Sequence, residues 1–203
     1  MASKTRSNTP TPAELQAAIH KRLRDVIAPD LDVLFCGINP GLYSAATGWH
    51  FARPGNRFWP ALEASGFTAT RLHPSQRAEL LAAGLGITNL VARATAGEAD
   101  LSREEIRAGA AALARKVRRY RPRAVAMVGI GAYRVAFDRP RAGFGRQPDV
   151  LAGAMLWVLP NTSGLNANHQ LPELVRRFAE LRAYAGQPPA EAPSRPASRK
   201  RSS

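Results

Sequence analysis

The sequence predicts an α/β fold: a largely parallel sheet covered by helices on both faces. Two observations carry this. Four short apolar runs, Leu31–Cys36, Gly86–Leu90, Ala124–Val128 and Met155–Leu159, are separated by longer stretches with helical signals, and strands buried on both faces read as continuous apolar runs. Two of these runs, ending at Cys36 and Leu159, open into loops rich in Gly, Asn and Ser. In open α/β sheets ligands bind beyond the carboxyl ends of the strands, which singles out those two loops.

The elements follow in order. Thr11-Pro12-Ala13-Glu14 is a capping box with Pro at the first helical position, predicting a helix to about Ile27. Leu31–Cys36 is short, apolar and bounded by Gly37, hence a buried strand. A long Gly-rich connection runs from Gly37 to about Asn56. The next helix carries Phe58, Trp59 and Leu62, with Pro60 tolerated in its first turn. Another helix covers about Pro74–Ala83, followed by the strand Gly86–Leu90. Ser102 and Glu105 form a second capping box and open a basic helix to Tyr120. The strand Ala124–Val128, a short helix Gly131–Phe137, and the strand Met155–Leu159 with an antiparallel partner near Val150 come next. A final helix spans about Leu171–Tyr184.

The 203 residues fit one domain over residues 12–185. The ends, residues 1–11 and 186–203, read as disordered; the last eighteen, GQPPAEAPSRPASRKRSS, are too poor in apolar side chains to offset chain entropy. The net charge is +14, of which +9 lies on residues 13–185. Such a balance points to an anionic partner, nucleic acid before an acidic membrane surface, although a GC-rich genome that inflates Arg usage would also raise it. The one cysteine, Cys36, excludes a disulfide framework, a Cys-based zinc site and a Cys-ligated iron–sulfur cluster. The histidines (His20, His50, His73 and His169) lack metal-ligand spacing. No metal and no cofactor are expected. The chain has no run of about 18 apolar residues and no signal-peptide core, so a cytoplasmic, nucleoid-associated location without membrane contact is expected.

The loop after Cys36, Gly37-Ile38-Asn39-Pro40-Gly41, has neither the G-x-G-x-x-G spacing nor a phosphate-binding G-x-x-x-x-G-K-[ST]. It offers an Asn at a strand end, fixed by Pro and flanked by glycines that let a ligand approach the backbone; it reads equally as a simple turn. The loop after Leu159 is Pro160-Asn161-Thr162-Ser163-Gly164-Leu165-Asn166. Its lone Leu165 is either a wedge or a small satellite core contact.

These segments carry a resemblance. Gly37-Ile38-Asn39-Pro40-Gly41-Leu42, Ser44-Ala45, Thr47-Gly48, Phe51-Ala52 with Pro54, and Asn56-Arg57-Phe58-Trp59 resemble the mismatch-specific uracil/thymine-DNA glycosylase family. Gly86-Ile87-Thr88-Asn89-Leu90-Val91 with Arg93, and Leu159-Pro160-Asn161 with Ser163-Gly164-Leu165, match in the expected order. The similarity covers about residues 30–183. It implies the uracil-DNA glycosylase fold, a three-layer α/β/α sandwich. The implied activity is a monofunctional glycosylase that extrudes a damaged pyrimidine from duplex DNA, a step costing a few kcal/mol, and hydrolyses its glycosidic bond. The implied partner is double-stranded DNA containing a G·U or related mismatch, bound by a monomer. Thymine and ethenocytosine are further candidate substrates.

On that resemblance, Asn39 orients the attacking water and Phe51 stacks on the flipped base. Phe51 reads equally as a core aromatic. Backbone N–H groups near Ile38 and Phe51 bond the base carbonyls, Gly41 leaves the backbone accessible, and Ser44 lies near the pyrimidine C5 position. Asn89 takes a pocket position that is often Lys or Asn. Asn161, Ser163, Gly164, Leu165 and Asn166 form the wedge motif, Leu165 filling the vacated space. The sequence departs from the pattern where Asn166-Ala167 replaces a common Ser-Arg, whose Arg contacts the widowed guanine, and where Thr162 replaces a common Pro. Asp100 is a second candidate catalyst, a carboxylate able to activate water, or else an acid favoured near a helix start. His50 reads first as a surface-loop residue, with a place near the pocket as the alternative. His73-Pro74-Ser75 resembles the His-Pro-Ser motif of the broad uracil-DNA glycosylases but stands at a predicted helix start. Two rival readings are a non-catalytic DNA-binding module of the same fold and a small-molecule nucleotide-binding protein.

Overall fold

The computed structural model describes residues 9–165 and 168–185. Five strands form one sheet: β1 Val33–Gly37, β2 Leu85–Asn89, β3 Ala124–Val128, β4 Gly145–Leu151 and β5 Ala154–Leu159, in the order β2-β1-β3-β5-β4. The pairs β1–β2, β1–β3 and β3–β5 are parallel; β4 runs antiparallel to β5 at the edge. The helices are α1 Pro12–Gln16, α2 Leu42–Thr47, α3 Phe58–Ala64, α4 Arg77–Ala82, α5 Arg103–Tyr120, α6 Ile130–Ala136 and α7 Leu171–Ala185, with a 3₁₀ turn at Glu98–Asp100.

Every residue of β1, β2 and β3 is buried, because each face of the sheet has its own apolar layer. Alternate side chains of β1 feed the two layers. Val33 and Phe35 join Phe58, Leu62 and Leu80 with Leu174 and Phe178, from α3, α4 and α7. Leu34 and Cys36 join Leu113, Val117 and Tyr133, from α5 and α6. This is the expected α/β/α arrangement. Burial pushes the Cys36 thiol up to about 12, leaving it an apolar core group rather than a nucleophile.

Four details depart from the sequence reading. The first helix ends at Gln16, not near Ile27; the chain turns through His20 (φ 64°) and continues extended. Val26 and Ile87 exchange N–H···O bonds of 2.8 and 2.7 Å, and Arg22 bridges Arg93. β2 is the sheet's outer strand, so pairing along it satisfies backbone groups that a longer helix would have left β2 to expose. Asp25 fastens this segment from below, meeting Lys116 Nζ and Thr88 Oγ1 at 2.7 Å each. Second, the Gly-rich connection contains α2, whose Gly41 N-cap makes no side-chain bond and so leaves no capping signal. Third, α4 begins at Arg77, because His73–Gln76 form a turn in which His73 Nδ1 meets Ser75 Oγ at 2.7 Å. Fourth, β4 is seven residues long and includes Pro148, accommodated by a register shift between Arg146 and Val150.

Residues 186–203 and 1–8, expected as tails, lie outside the described residues, as do Asn166 and Ala167. Among the described residues no helix is long and apolar enough to cross a membrane, and no cluster of His, Cys, Asp and Glu could hold a metal ion.

Candidate active site

The carboxyl ends of the parallel strands converge on one cavity of about 240 Å³. Ile38 and Asn39 follow β1, Asn89 ends β2, Val128 ends β3, and Asn161 and Ser163 follow β5; all line it. Gly41, Ser44, His50 and Phe51, from the connection after β1, form one wall, and Leu165 stands at the edge. The structure thus assembles Ile38, Asn39, Gly41, Ser44, Phe51, Asn89, Asn161, Ser163 and Leu165 around one space. Gly164 packs behind it, and Asn166 lies outside the described residues.

The Asn39 amide is oriented by its neighbours. Its Nδ2 donates to Thr95 Oγ1 at 2.7 Å and to the Arg93 carbonyl at 3.3 Å. Thr95 Oγ1 itself donates to the Gly97 carbonyl at 2.6 Å, so it meets Asn39 with a lone pair. The Pro40 carbonyl, also 3.3 Å from Nδ2, is a third acceptor, so an oxygen in place of Nδ2 would face three acceptors, which fixes the amide the other way round. Asn39 Oδ1 is then the free acceptor: no described residue donates to it, and it is not among the sealed, unpartnered polar atoms.

The scaffold behind Asn39 runs back to the second capping box. The loops after β1 and β2 extend their pairing through Leu90 N–H to Gly37 O (2.9 Å), Val91 N–H to Ile38 O (2.9 Å) and Thr95 N–H to Pro40 O (3.2 Å). Arg93 is held by Glu105 at 2.6 and 2.8 Å, while Glu105 also accepts from the Ser102 N–H at 3.0 Å. The Arg93 hydrogen bond, then that from Ser102, lowers the Glu105 carboxyl from 4.5 to about 2. A depressed carboxylate stabilises the fold above its unfolded value and loses that contribution as pH falls through its folded value. The destabilisation caused by Glu105→Gln, read as the difference in urea unfolding, is therefore expected in full above about pH 4.5 and absent by about pH 2. A difference that persists at pH 2 would contradict this coupling.

Asp100 is not brought to the cavity. Its Oδ2 accepts from the Gly97 N–H at 3.0 Å, capping the 3₁₀ turn, which is the helix-start role open to it from the sequence. Glu98, two residues earlier, lines the cavity instead, and partial loss of water around it raises its carboxyl above the ordinary value.

His50 corrects the surface-loop expectation: it is 4% exposed and lines the cavity. Its Nε2 meets the Arg24 carbonyl at 3.0 Å and its Nδ1 meets Asn89 Nδ2 at 3.4 Å. Burial lowers its pKa, opposed by the Arg24 hydrogen bond and the Asp25 charge. Phe51 lines the cavity and stacks on Phe58 at 4.1 Å between centroids and 15° between planes. Its backbone is left-handed (φ 51°), a conformation that costs a non-glycine residue free energy and clusters at functional sites. Ser44 Oγ accepts from the Ala52 N–H at 3.3 Å, joining the start of α2 to the loop behind Phe51.

The second motif is built as a braced turn. Asn161 Oδ1 accepts from the Ser163 N–H (2.9 Å), and Ser163 Oγ from the Leu165 N–H (3.3 Å). Arg57 clamps it, donating to the carbonyls of Ser163 (2.6 Å) and His169 (2.7 Å), with its own N–H on the Thr162 carbonyl (2.9 Å). A Cβ on Gly164 would lie 2.5 Å from the Gly55 carbonyl oxygen, so only glycine lets these two loops touch. Leu165 is left 74% exposed, an apolar side chain on a rigid base with no core to enter. Thr162, fully buried, has an unpartnered hydroxyl. Thr162→Val is expected to leave stability unchanged or raise it by up to about 1 kcal/mol in denaturant unfolding, since an unpaired buried hydroxyl is costly; a loss above ~1 kcal/mol would contradict this.

Sequence reasoning missed Thr95 and Glu98 and ranked the inward placement of His50 second. Thr95 and Glu98 lie in the irregular stretch between β2 and α5, where periodicity carries no signal.

The model of the uracil DNA glycosylase superfamily matches residues 24–184, a span that begins at Arg24, whose carbonyl holds His50, and includes every cavity-lining residue named above. The chain belongs to the uracil DNA glycosylase superfamily, and so to the hydrolases of N-glycosyl bonds that act on DNA.

Proposed function

We propose that the protein is a monofunctional, mismatch-directed uracil-DNA glycosylase that extrudes uracil opposite guanine and starts base excision repair. The observation that carries this is the Asn39 amide, locked by Thr95 so that its Oδ1 is left to accept, beside an aromatic wall at Phe51. An extruded pyrimidine stacks on Phe51, and backbone N–H groups near Ile38 and Phe51 bond its carbonyls. Leu165 enters the gap left in the stack, as apolar wedges do in other kinked duplexes. The C1′–N1 bond breaks first. Its electron pair leaves with the base, whose negative charge is spread onto the carbonyl oxygens and held by the N–H donors. Water donating a hydrogen bond to Asn39 Oδ1 then adds to C1′, and the proton it sheds passes to the departed uracil anion or to solvent. An amide is too weak a base to deprotonate water early, so the sugar cation must be well developed and turnover slow. Ser44, near C5, tunes access for a 5-methyl group, and with it activity on thymine; ethenocytosine is a further candidate. The +9 charge on residues 13–185 grips the phosphates, with the exposed Arg53 at the cavity mouth. The protein acts as a monomer on duplex DNA in the nucleoid.

The test is release of free uracil from a G·U duplex in the presence of a metal chelator, without strand nicking. Uracil left intact after prolonged incubation overturns the reading; binding without release would instead support a non-catalytic module of the same fold. Parallel duplexes carrying T or ethenocytosine opposite G fix the substrate range.

A further inference from the structure

We propose that His50 is a positioning residue which, through Asn89, makes the cavity favour uracil, with its ring N–H beside a carbonyl, over cytosine, with a bare ring nitrogen beside an amino group. This rests on the glycosylase reading above and adds to it the element that sets the polarity of base recognition.

The argument begins at Arg24. Its main-chain carbonyl can only accept, so the His50 Nε2 3.0 Å away must carry the proton. In a neutral imidazole the other nitrogen is then bare. Nδ1 therefore faces Asn89 as an acceptor, and only the NH2 end of the Asn89 amide can turn toward it, as the 3.4 Å Nδ2···Nδ1 approach records. The reverse orientation would set Oδ1 against the Nδ1 lone pair. Asn89 is 7% exposed and His50 4%, so water is poorly placed to rescue a wrong orientation. Asn89 Oδ1 consequently lies over Gly37, where a Cβ would come within 2.7 Å of it. No described residue donates to that oxygen, and it is not among the sealed unpartnered atoms.

The amide thus presents an acceptor and its second N–H to the cavity. Uracil has a matching edge, an N3–H donor beside a carbonyl acceptor. Cytosine has the opposite one, a bare N3 beside an amino group, and sets lone pair against lone pair and donor against donor. An unpaired or opposed buried polar group is where binding sites obtain their largest discrimination. The surroundings hold the imidazole in place. Trp59 Nε1 donates to the His50 carbonyl at 3.2 Å, and the Asp25–Lys116 ion pair fixes the segment that brings Arg24 to it. Arg77 and Lys116 disfavour protonation, whereas Asp25 favours it.

The test is a double-mutant cycle of His50→Phe and Asn89→Ala on G·U duplex, read as single-turnover rate, with competition by free uracil and free cytosine as a second readout. His50→Phe alone is expected to lower uracil release about tenfold and to shrink the preference for free uracil over cytosine by a similar factor. In the Asn89→Ala background it should change both by less than about twofold, because coupled residues are non-additive. Effects that multiply, or a lost rate with the base preference intact, overturn the assignment. If His50→Phe does not fold, long-range ¹H–¹⁵N NMR of the wild-type protein decides. An Nε2–H tautomer with bare Nδ1 at neutral pH is expected, and an Nδ1–H tautomer overturns the proposal. Failure of the wild-type protein to release uracil from any duplex would overturn the glycosylase reading itself, whereas release with additive variants overturns only the role of His50.

Discussion

Asn39→Ala should lower the single-turnover rate of uracil release by ~10²-fold or more, the usual loss when a group acting on the reacting atoms is removed. The structure narrows why. Asn39 spends its donor side on Thr95 and the Arg93 carbonyl and keeps its acceptor, so deletion removes the single side-chain oxygen assigned to the water while leaving the cavity walls in place. DNA binding should therefore change little while the chemical step collapses. Asn39→Asp sharpens the test. A carboxylate would keep an acceptor for water but turn a second oxygen onto the lone pairs of Thr95 and the Arg93 carbonyl, so it should fold less stably and still run well below the wild type. An unchanged rate in Asn39→Ala would move the water-activating role elsewhere, with Glu98 the carboxylate on the cavity wall.

Gly37→Ala should cost the activity nearly as much, about 10-fold to 10²-fold, by a different route. Gly37 has no left-handed backbone requirement; what it supplies is space. A methyl group there would lie 2.7 Å from Asn89 Oδ1 and 3.4 Å from the Phe51 ring. Neither neighbour retreats freely, since the Asn89 amide is held at His50 and Phe51 is backed by Phe58. Overpacking of this kind typically costs ~1–3 kcal/mol. The variant should thus remain mostly folded in thermal unfolding while its single-turnover rate falls. A wild-type rate would mean that the amide and the ring can both shift without consequence for the base.

The parallel strands and α5 were legible because each is governed by one strong local term: a continuous apolar run between breakers, or a capping box ahead of an amphipathic stretch. The cavity-lining motif residues were legible because most of them follow β1 and β5 in loops rich in Gly, Asn and Ser, with Asn89 at the end of β2. What stayed hidden depends on contacts between distant segments. Residues 21–27 carry Leu23, Val26 and Ile27 at spacings a helix would accept, and only the open border of β2 decides that they run extended. α2 starts without a capping side chain. His50 sits in a loop of Gly, Pro and Arg, and its inward turn is set by an acceptor 26 residues away. Asp100 was plausible as a catalyst from its place after β2, but the three-residue 3₁₀ turn Glu98–Asp100 gave the cavity Glu98 instead.

The extended segment along β2 also bears on how the protein keeps to itself. A five-stranded sheet has two borders, and each unpaired border is a template for another chain. Here one is partly occupied by residues 22–26, and the other, β4, is interrupted by Pro148 and a shifted register. The same short stretch that steadies the cavity thereby acts as a guard against self-templated aggregation. Protein trimmed to begin after Ile27 should lose solubility on concentration or warming along with its activity, a liability to weigh in any effort to shorten it.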